Sequence, residues 1–501
     1  MTGPPTPALP DSDRADGQWH RVHPLTPLVS SWQMFVVGLV LIGQSFGQQA
    51  LQGEPMGPEG VPTPNRPGGW LLAVGGVIFL VLILIGAALR VLAWRMTRLR
   101  VTADALELNH GVLSKQHRRA RLDRLQAVDV VQPFVARLAG LARLTLEVAG
   151  GSDSKITLSY LTEAQANALR NHLLARAAGV SYESTEAPEA PEHPVLQVPA
   201  PRLVASLLLS STTVTVAAGI TTLVVLTVET RSLGPFTAIL PAALGTIGVI
   251  WRRFNAGFAF RLATSPDGLR LRHGLLEQRA QTVPPGRVQA VGLSQPLLWR
   301  TNDWWRVRVN VAGYSDTSDH AASTETVLLP VGTREEALLV LALIVPDLGV
   351  AGENPRGIVE AGLVGAGPSA GFVTSPRRAR WLDPLVWRRT GFRITGEVLL
   401  ARGGWAHRWL DVVAHARTQS VGLSQGPLQR RLDLVTFVLH STPGPVSPEV
   451  RHLDAAVAGR LLSEQVERAA GARVRAAPER WMEPHGGVGR GSLSSGDPSP
   501  A

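Results

Sequence analysis

The decamer "RVQAVGLSQP" at residues 287–296 has two counterparts in the same chain, "RLQAVDVVQP" at 124–133 and "RTQSVGLSQG" at 417–426. An Arg-x-Gln-x-Val-x-x-x-Gln skeleton used three times is either a site or the signature of a structural unit, and its surroundings decide which. Thirteen residues before Arg124, Arg287 and Arg417 stands a glycine, in the pairs His110-Gly111, His273-Gly274 and Gly403-Gly404. Leu106, Leu269 and Leu399 lie five residues ahead of these glycines, and Arg137, Arg300 and Arg430 five residues after Gln132, Gln295 and Gln425. Shared spacing over this length is an internal repeat.

Each copy has strand-like alternation before the glycine and again after the decamer, as in "LTLEVAG", "RVRVNVAG" and "LVTFVLH". Each then ends in a helical pattern. Thr162 with Gln165 and Thr333 with Glu336 form capping boxes, and in the third copy Ser447 and Pro448 read as cap and first helical position. Short antiparallel strands closed by one amphipathic helix make an α+β module of about 80 to 90 residues.

Within the decamer, strand parity groups Gln126, Val128, Val130 and Gln132 on one face, and likewise Gln289, Val291, Leu293 and Gln295, then Gln419, Val421, Leu423 and Gln425. The glutamines therefore share the apolar face. A buried amide needs hydrogen-bond partners, so these residues, with Arg287 and Arg417, read as structural, the amides bonding loop backbone at the strand ends.

The stretch "HGVLSKQHRRARLDRLQAVDVVQPFVARLAGLARLTLEVAG" resembles the bacterial pleckstrin-homology (PH) domain of the second type. The layout over residues 30 to 470 resembles the YdbT-like membrane proteins: two spans, a module, two spans, two modules. The resemblance is looser in the third copy, where the basic run is replaced by "WAHRWLDVVAHA". It implies a bent antiparallel barrel of about seven strands plugged by the helix, and no catalytic activity. Eukaryotic relatives of that fold hold inositol phosphates on a basic hairpin. Lys115, Arg118, Arg119, Arg121 and Arg124 are accordingly the candidates here for contact with anionic lipid or a partner.

The uncharged run "WLLAVGGVIFLVLILIGAAL" at 70–89 is the length of a membrane-crossing helix. Further spans are predicted at Ser31–Ala50, Leu203–Val228 and Leu233–Trp251, giving four helices in two hairpins. Arg90, Arg95, Arg98, Arg100, Arg252 and Arg253 follow the second and fourth spans, which places the modules and both termini on the cytoplasmic face of a bacterial inner membrane. The N-terminus lacks the basic start and apolar run of a cleavable signal. The predicted domain layout is a tail at 1–30, hairpins at 31–95 and 203–251, modules at 99–178, 259–346 and 379–470, linkers at 181–201 and 347–378, and a disordered tail at 471–501.

The net charge of +10 is carried by arginine, lysine occurring only at Lys115 and Lys155, and the absence of cysteine excludes disulfides and thiolate metal sites. No phosphate loop, nucleophile elbow or His-Glu-x-x-His occurs. His407 and His415, and His440 and His452, lack acidic partners at ligand spacing. Trp304, Trp305, Trp381, Trp387, Trp405 and Trp409 suit a barrel core or membrane interface better than a nucleic-acid platform. The chain is thus predicted to be a non-enzymatic membrane scaffold without cofactor, metal or nucleic acid. It would assemble with itself or with a smaller PH-like membrane protein, or contact membrane lipid. The alternative is a transporter or export component in envelope stress or antimicrobial-peptide defence, using the Ser and Thr of the third span.

Overall fold

The computed structural model describes residues 91–102, 105–110, 116–121, 125–148, 155–177, 192–230, 234–265, 268–312 and 327–475, with a few single positions before residue 91. The predicted span at 31–50, most of that at 70–89, most of the N-terminal tail and the tail after 475 fall outside the described residues. The chain divides into two compact units, Met1–Pro188 with Leu276–Arg279 and Glu189–Leu275 with Ala280–Ala501.

In the first unit β1 (His20–Arg21), β2 (Arg98–Val101), β3 (Ala105–His110) and β4 (Gln116–Arg121) form a four-stranded antiparallel sheet in that order. β5 (Leu125–Gln132) pairs with β6 (Leu141–Val148) after the short helix α1 (Phe134–Leu138), and β6 pairs with β7 (Lys155–Thr162). Alternation places Leu144, Leu146, Ile156 and Leu158 on one buried face. Helix α2 (Glu163–Ala177) follows, its entry fixed by the predicted box: Gln165 N–H donates to Thr162 Oγ1 at 3.3 Å and Thr162 N–H to Gln165 Oε1 at 3.2 Å.

The second unit opens with β8 (His193–Gln197), inside the stretch predicted as linker, and three helices, α3 (Ala200–Leu208), α4 (Ser211–Thr230) and α5 (Gly234–Gly257). The predicted third span is thereby corrected at its start. A break at Leu209-Ser210 separates α3, where Thr213 Oγ1 donates to Leu207 O at 2.7 Å and its N–H bonds Ser210 Oγ at 3.2 Å. α3 is amphipathic rather than uniformly apolar. Leu203, Ser206 and Leu207 are buried, and Trp299 Nε1 donates to Ser206 O at 2.9 Å. That helix belongs to the folded module. Among the described residues α4 is the one helix long and apolar enough to cross a membrane by length and composition, and none of its residues is buried. α5, carrying the fourth predicted span, packs against it.

The second repeat supplies β9 (Arg261–Ser265), β10 (Gly268–His273), β11 (Gln278–Val283), β12 (Val288–Pro296), β13 (Trp304–Val311), β14 (Val327–Thr333) and α6 (Arg334–Ile344). Thr333 and Glu336 cap α6 reciprocally, as predicted. The third repeat supplies α7 (Pro355–Val364), β15 (Val373–Thr374), β16 (Gly391–Ile394), β17 (Val398–Gly403), β18 (His407–Ala414), β19 (Ser420–Ser424), α8 (Pro427–Arg431), β20 (Leu434–His440), β21 (Glu449–Asp454) and α9 (Ala455–Arg475). "EVRHLD" is thus strand β21 and not the start of the last helix. Asp454 Oδ1, rather than Ser447, caps α9, accepting from Ala456 and Val457 N–H at 3.0 and 3.3 Å.

Among the described residues the second and third repeats share a sheet. One seven-stranded antiparallel sheet runs β14-β13-β12-β18-β17-β16-β15, crossing from the second repeat into the third, while β19-β20-β21 make a separate three-stranded sheet. The third core packs Leu399, Ala401, Val413, Phe437 and Leu461 together with Ala290, which comes from β12 of the preceding repeat.

The predicted linker at 347–378 contains α7, and the reason is two buried arginines. Arg402 Nη1 donates to Ala361 O at 2.7 Å, Nη2 to Gly367 O, and Nε to Arg389 O at 3.2 Å, with its guanidinium 4.1 Å from the Phe372 ring centre. Arg389 reaches Gly362 O at 3.1 Å and Gly365 O at 2.8 Å. The last carbonyls of a helix lack intrahelical donors and favour cations, so the two side chains tie α7 to β17 and to the turn before β16. Burial lowers both guanidinium groups, Arg389 to about 9 and Arg402 to about 10, which leaves them charged at neutral pH. Arg402→Leu should lower the melting temperature of the full chain in detergent, costing about 2 kcal/mol or more by stranding buried carbonyls, with Arg402→Lys recovering only part.

Candidate interaction site

The place where the repeats meet is built from the second decamer. All nine residues of β12 are buried, because both of its edges and both of its faces are occupied. One edge pairs with β13 and the other with β18, in the register Val291 to Val412, Gly292 to Asp411, Leu293 to Leu410 and Ser294 to Trp409. Leu293 and Val291 lie on one face, and Ala290, Gly292 and Ser294 on the face toward the third repeat.

Gly292 sits between Arg308 of β13 and Asp411 of β18. A Cβ there would stand 2.9 Å from Val446 Cγ2 and 3.0 Å from Asp411 Oδ1, so the glycine lets the 441–446 loop lie directly on the strand. Fully buried Asn310 secures that loop. Its Oδ1 accepts from Val446 N–H at 2.9 Å, and its Nδ2 lies 2.6 Å from Val446 O and 3.2 Å from Thr442 O. An amide paired with both backbone groups of one residue copies a strand hydrogen-bond pair, and it satisfies groups the loop would otherwise leave buried and unpaired.

The predicted signature residues take different positions. Gln295 Nε2 donates to Asp303 Oδ1 at 3.3 Å, an oxygen that also accepts from Trp305 Nε1 at 3.0 Å. Gln425 Nε2 donates to Leu434 O at 3.1 Å and Gln289 Nε2 to Arg287 O at 3.3 Å. Gln132 is buried, whereas Gln419 is exposed and uses its backbone N–H toward His440 O at 3.0 Å. Gln126 lies on β5, its side chain outside the described residues. Arg287 and Arg417 each end a 3-10 turn ahead of the strand. Of the basic run, Arg118, Arg119 and Arg121 fall on β4, opposite Leu108, Glu107 and Ala105 of β3, and Lys115 and Arg124 lie outside the described residues.

A second feature was not singled out from the sequence. A cavity of about 240 Å³ at the foot of the α4–α5 pair is lined by Arg253, Arg306, Arg308 and His273 over Leu203 and Leu207, and by no acidic side chain. Arg306 stacks 5.1 Å from the Trp299 ring centre, and Arg253 Nη1 lies 3.4 Å from Thr212 Oγ1. Burial, then the neighbouring Arg308 and Arg253, lowers Arg306 to about 10. In the sequence, Arg306 and Arg308 were only the outward positions of the strand "WWRVRVNV". Their approach to Arg253 needs a contact across more than fifty residues. No group of His, Asp or Glu suited to a metal occurs among the described residues.

Burial pushes Asp411 up to about 7, with Arg308 opposing the rise and Glu449 adding to it. A carboxyl whose folded value exceeds its ordinary 3.8 binds more protons folded than unfolded, so stability falls as pH rises through that window. Below about pH 6.5 buried His415 and exposed His407, both lowered chiefly by desolvation, act in the opposite sense. Between pH 8 and 6.5 Asp411 should therefore dominate among these groups. Acidification over that range should stabilise the full chain by about 1 kcal/mol, and Asp411→Asn should flatten the slope of melting temperature against pH.

Comparison with known proteins agrees with this architecture. The bacterial PH domain matches three times, over residues 61–177, 204–344 and 340–469. The UPF0699 transmembrane protein YdbT of Bacillus subtilis (strain 168) is 22% identical over 300 residues, which is 54% of this chain and 60% of that relative. No solved structure matches. With the three repeats, the antiparallel sheets and these matched segments together, the chain belongs to the bacterial PH-domain family.

Proposed function

We propose that this protein is a non-enzymatic membrane scaffold that displays PH-like modules on the cytoplasmic face and works through protein assembly. The observation that carries the reading is the sheet shared between the second and third repeats. The buried decamer is spent on joining modules, with Gly292, Asn310 and Ala290 all facing the neighbouring repeat. Membrane insertion is supported by α4, by the name of the similar Bacillus protein, and by the arginines that follow the predicted spans. The hydroxyl groups of the third span favour packing over transport: Thr221, Thr222 and Thr227 donate to Ala217, Ala218 and Leu223 carbonyls of their own helix. Full-length protein extracted gently from membrane should run as a multiple of 53.5 kDa, or with a stoichiometric partner, in size-exclusion chromatography with light scattering. A monomer that catalyses solute flux in proteoliposomes would favour the export reading instead.

The cavity supports a second reading, recognition of an anionic lipid headgroup. Three arginines around a cavity with no acid in its lining, at the end of the α4–α5 pair, present charge-assisted donors where a phosphate at the bilayer surface would lie. Arg253→Gln should lower the phosphatidylglycerol retained by the purified full chain at least threefold, by lipid mass spectrometry. The basic run of the first repeat is a separate contact on this reading, and Arg118→Glu with Arg119→Glu and Arg121→Glu tests it in the same assay. Unchanged retention in both variants removes lipid recognition.

A further inference from the structure

The pentapeptide Val-Gly-Leu-Ser-Gln occurs twice, at 291–295 and at 421–425. In the first occurrence it is the centre of β12, paired on both edges. In the second it is β19 and the residue after it, and β19 is the outer strand of the β19-β20-β21 sheet. Among the described residues no strand pairs with its second edge. The same sequence is consequently bare: Leu423 is 43% exposed where Leu293 is 0%. A Cβ at Gly422 would meet nothing within 4 Å, whereas at Gly292 it meets Val446 at 2.9 Å. Ser420 and Ser424 are exposed, while Ala290 and Ser294, their counterparts, are buried. An unpaired strand edge offers free N–H and C=O groups to another chain, and here the edge has the sequence that already docks a strand elsewhere in the molecule.

The strand docked at β12 is β18, and the repeat identifies its equivalents. In β17–β18 Leu399 faces Val413, and in β3–β4 Leu106 faces Ala120. Both pairs stand five residues before and nine residues after the hairpin glycine, Gly404 or Gly111. β4 is therefore the counterpart of β18 residue by residue. It is also an outer strand, the last in the order β1-β2-β3-β4, with no strand on its second edge among the described residues.

We propose that the free edge of β19 docks β4 of a second copy of this chain, in the register that β12 uses for β18. Transferring that register sets Val421 opposite Arg119, Gly422 opposite Arg118, Leu423 opposite His117 and Ser424 opposite Gln116. The contact joins two different surfaces, so it propagates head to tail and yields a closed ring or an open row of chains in the membrane plane. This deepens the scaffold reading and rests on it, naming the partner as the chain itself.

The absence of cysteine makes the test direct. Leu423→Cys combined with His117→Cys, oxidised in native membranes, should give disulfide-linked species at two or more times the chain mass, since directly opposed strand residues lie within bridging distance. Ser420→Cys with His117→Cys is out of register and should link at least tenfold less. Gly422→Val adds a side chain where the lone chain has room and the docked edge would not. It should therefore cut the linked species at least tenfold while leaving the melting temperature unchanged. No link, equal linking by both cysteine pairs, or a link that stays within one chain would overturn the proposal. If the in-register pair gives no link between chains while the protein without cysteines is an oligomer by light scattering, strand docking fails and the scaffold reading stands. If it is monomeric and without a partner, both fail.

Discussion

A strand buried on both edges and both faces has no freedom to shift, and the second half of this molecule is organised around one such strand, β12. A slip of one residue would move Ala290 out of the third core and put Val291 against the loop that now rests on Gly292. The glycine is the constraint on which the junction turns. Any side chain there would lift the 441–446 loop, and Asn310 would lose its partners on Val446. The polar cost of the arrangement shows at Asp411, which is buried beside that glycine and held near neutrality. Such a group contributes little stability and is better understood as fixing which strands meet.

The arginine-rich composition takes a second meaning inside the third repeat. Arg389 and Arg402 are spread over backbone carbonyls instead of acidic partners, a use suited to the planar guanidinium with its five donors. They convert a Gly- and Ala-rich stretch that lacks a core of its own into a helix attached to the sheet. At the opposite extreme, Arg253, Arg306 and Arg308 converge on a cavity whose lining holds no acidic side chain. One residue type thus serves as internal fastening in one place and as an anion-seeking surface in another, and burial with local partners separates the two uses.

Three repeats on one chain also raise the question of what happens at the ends of the series. The second repeat offers a strand to the third, and that exchange removes an aggregation-prone edge from each. β19 and β4 remain as outer strands among the described residues, and nothing charged or proline-bearing on β19 blunts its edge. An assembly that pairs them would extend the internal logic of the chain to the membrane plane.

Much of this was legible from residue types. The threefold spacing gave the repeat, alternation gave the strands, and the Thr-Gln and Thr-Glu boxes gave the ends of α2 and α6, because each of these depends on neighbours within a few positions. Sequence also determined that no thiol chemistry is available and that α4 is apolar enough for lipid. What it left undetermined is which strand lies beside which. Strand parity assigns faces, yet the partner on an edge is chosen by long-range packing that periodicity does not encode, so the pairing of the second decamer with a strand of the third repeat is not legible in it. The break at Ser210, the folding of the 347–378 stretch and the meeting of Arg253 with Arg306 are likewise tertiary decisions. The docking of α3 and the folding of that stretch rest on contacts, Trp299 on Ser206 and Arg402 on Ala361, between residues far apart in the chain.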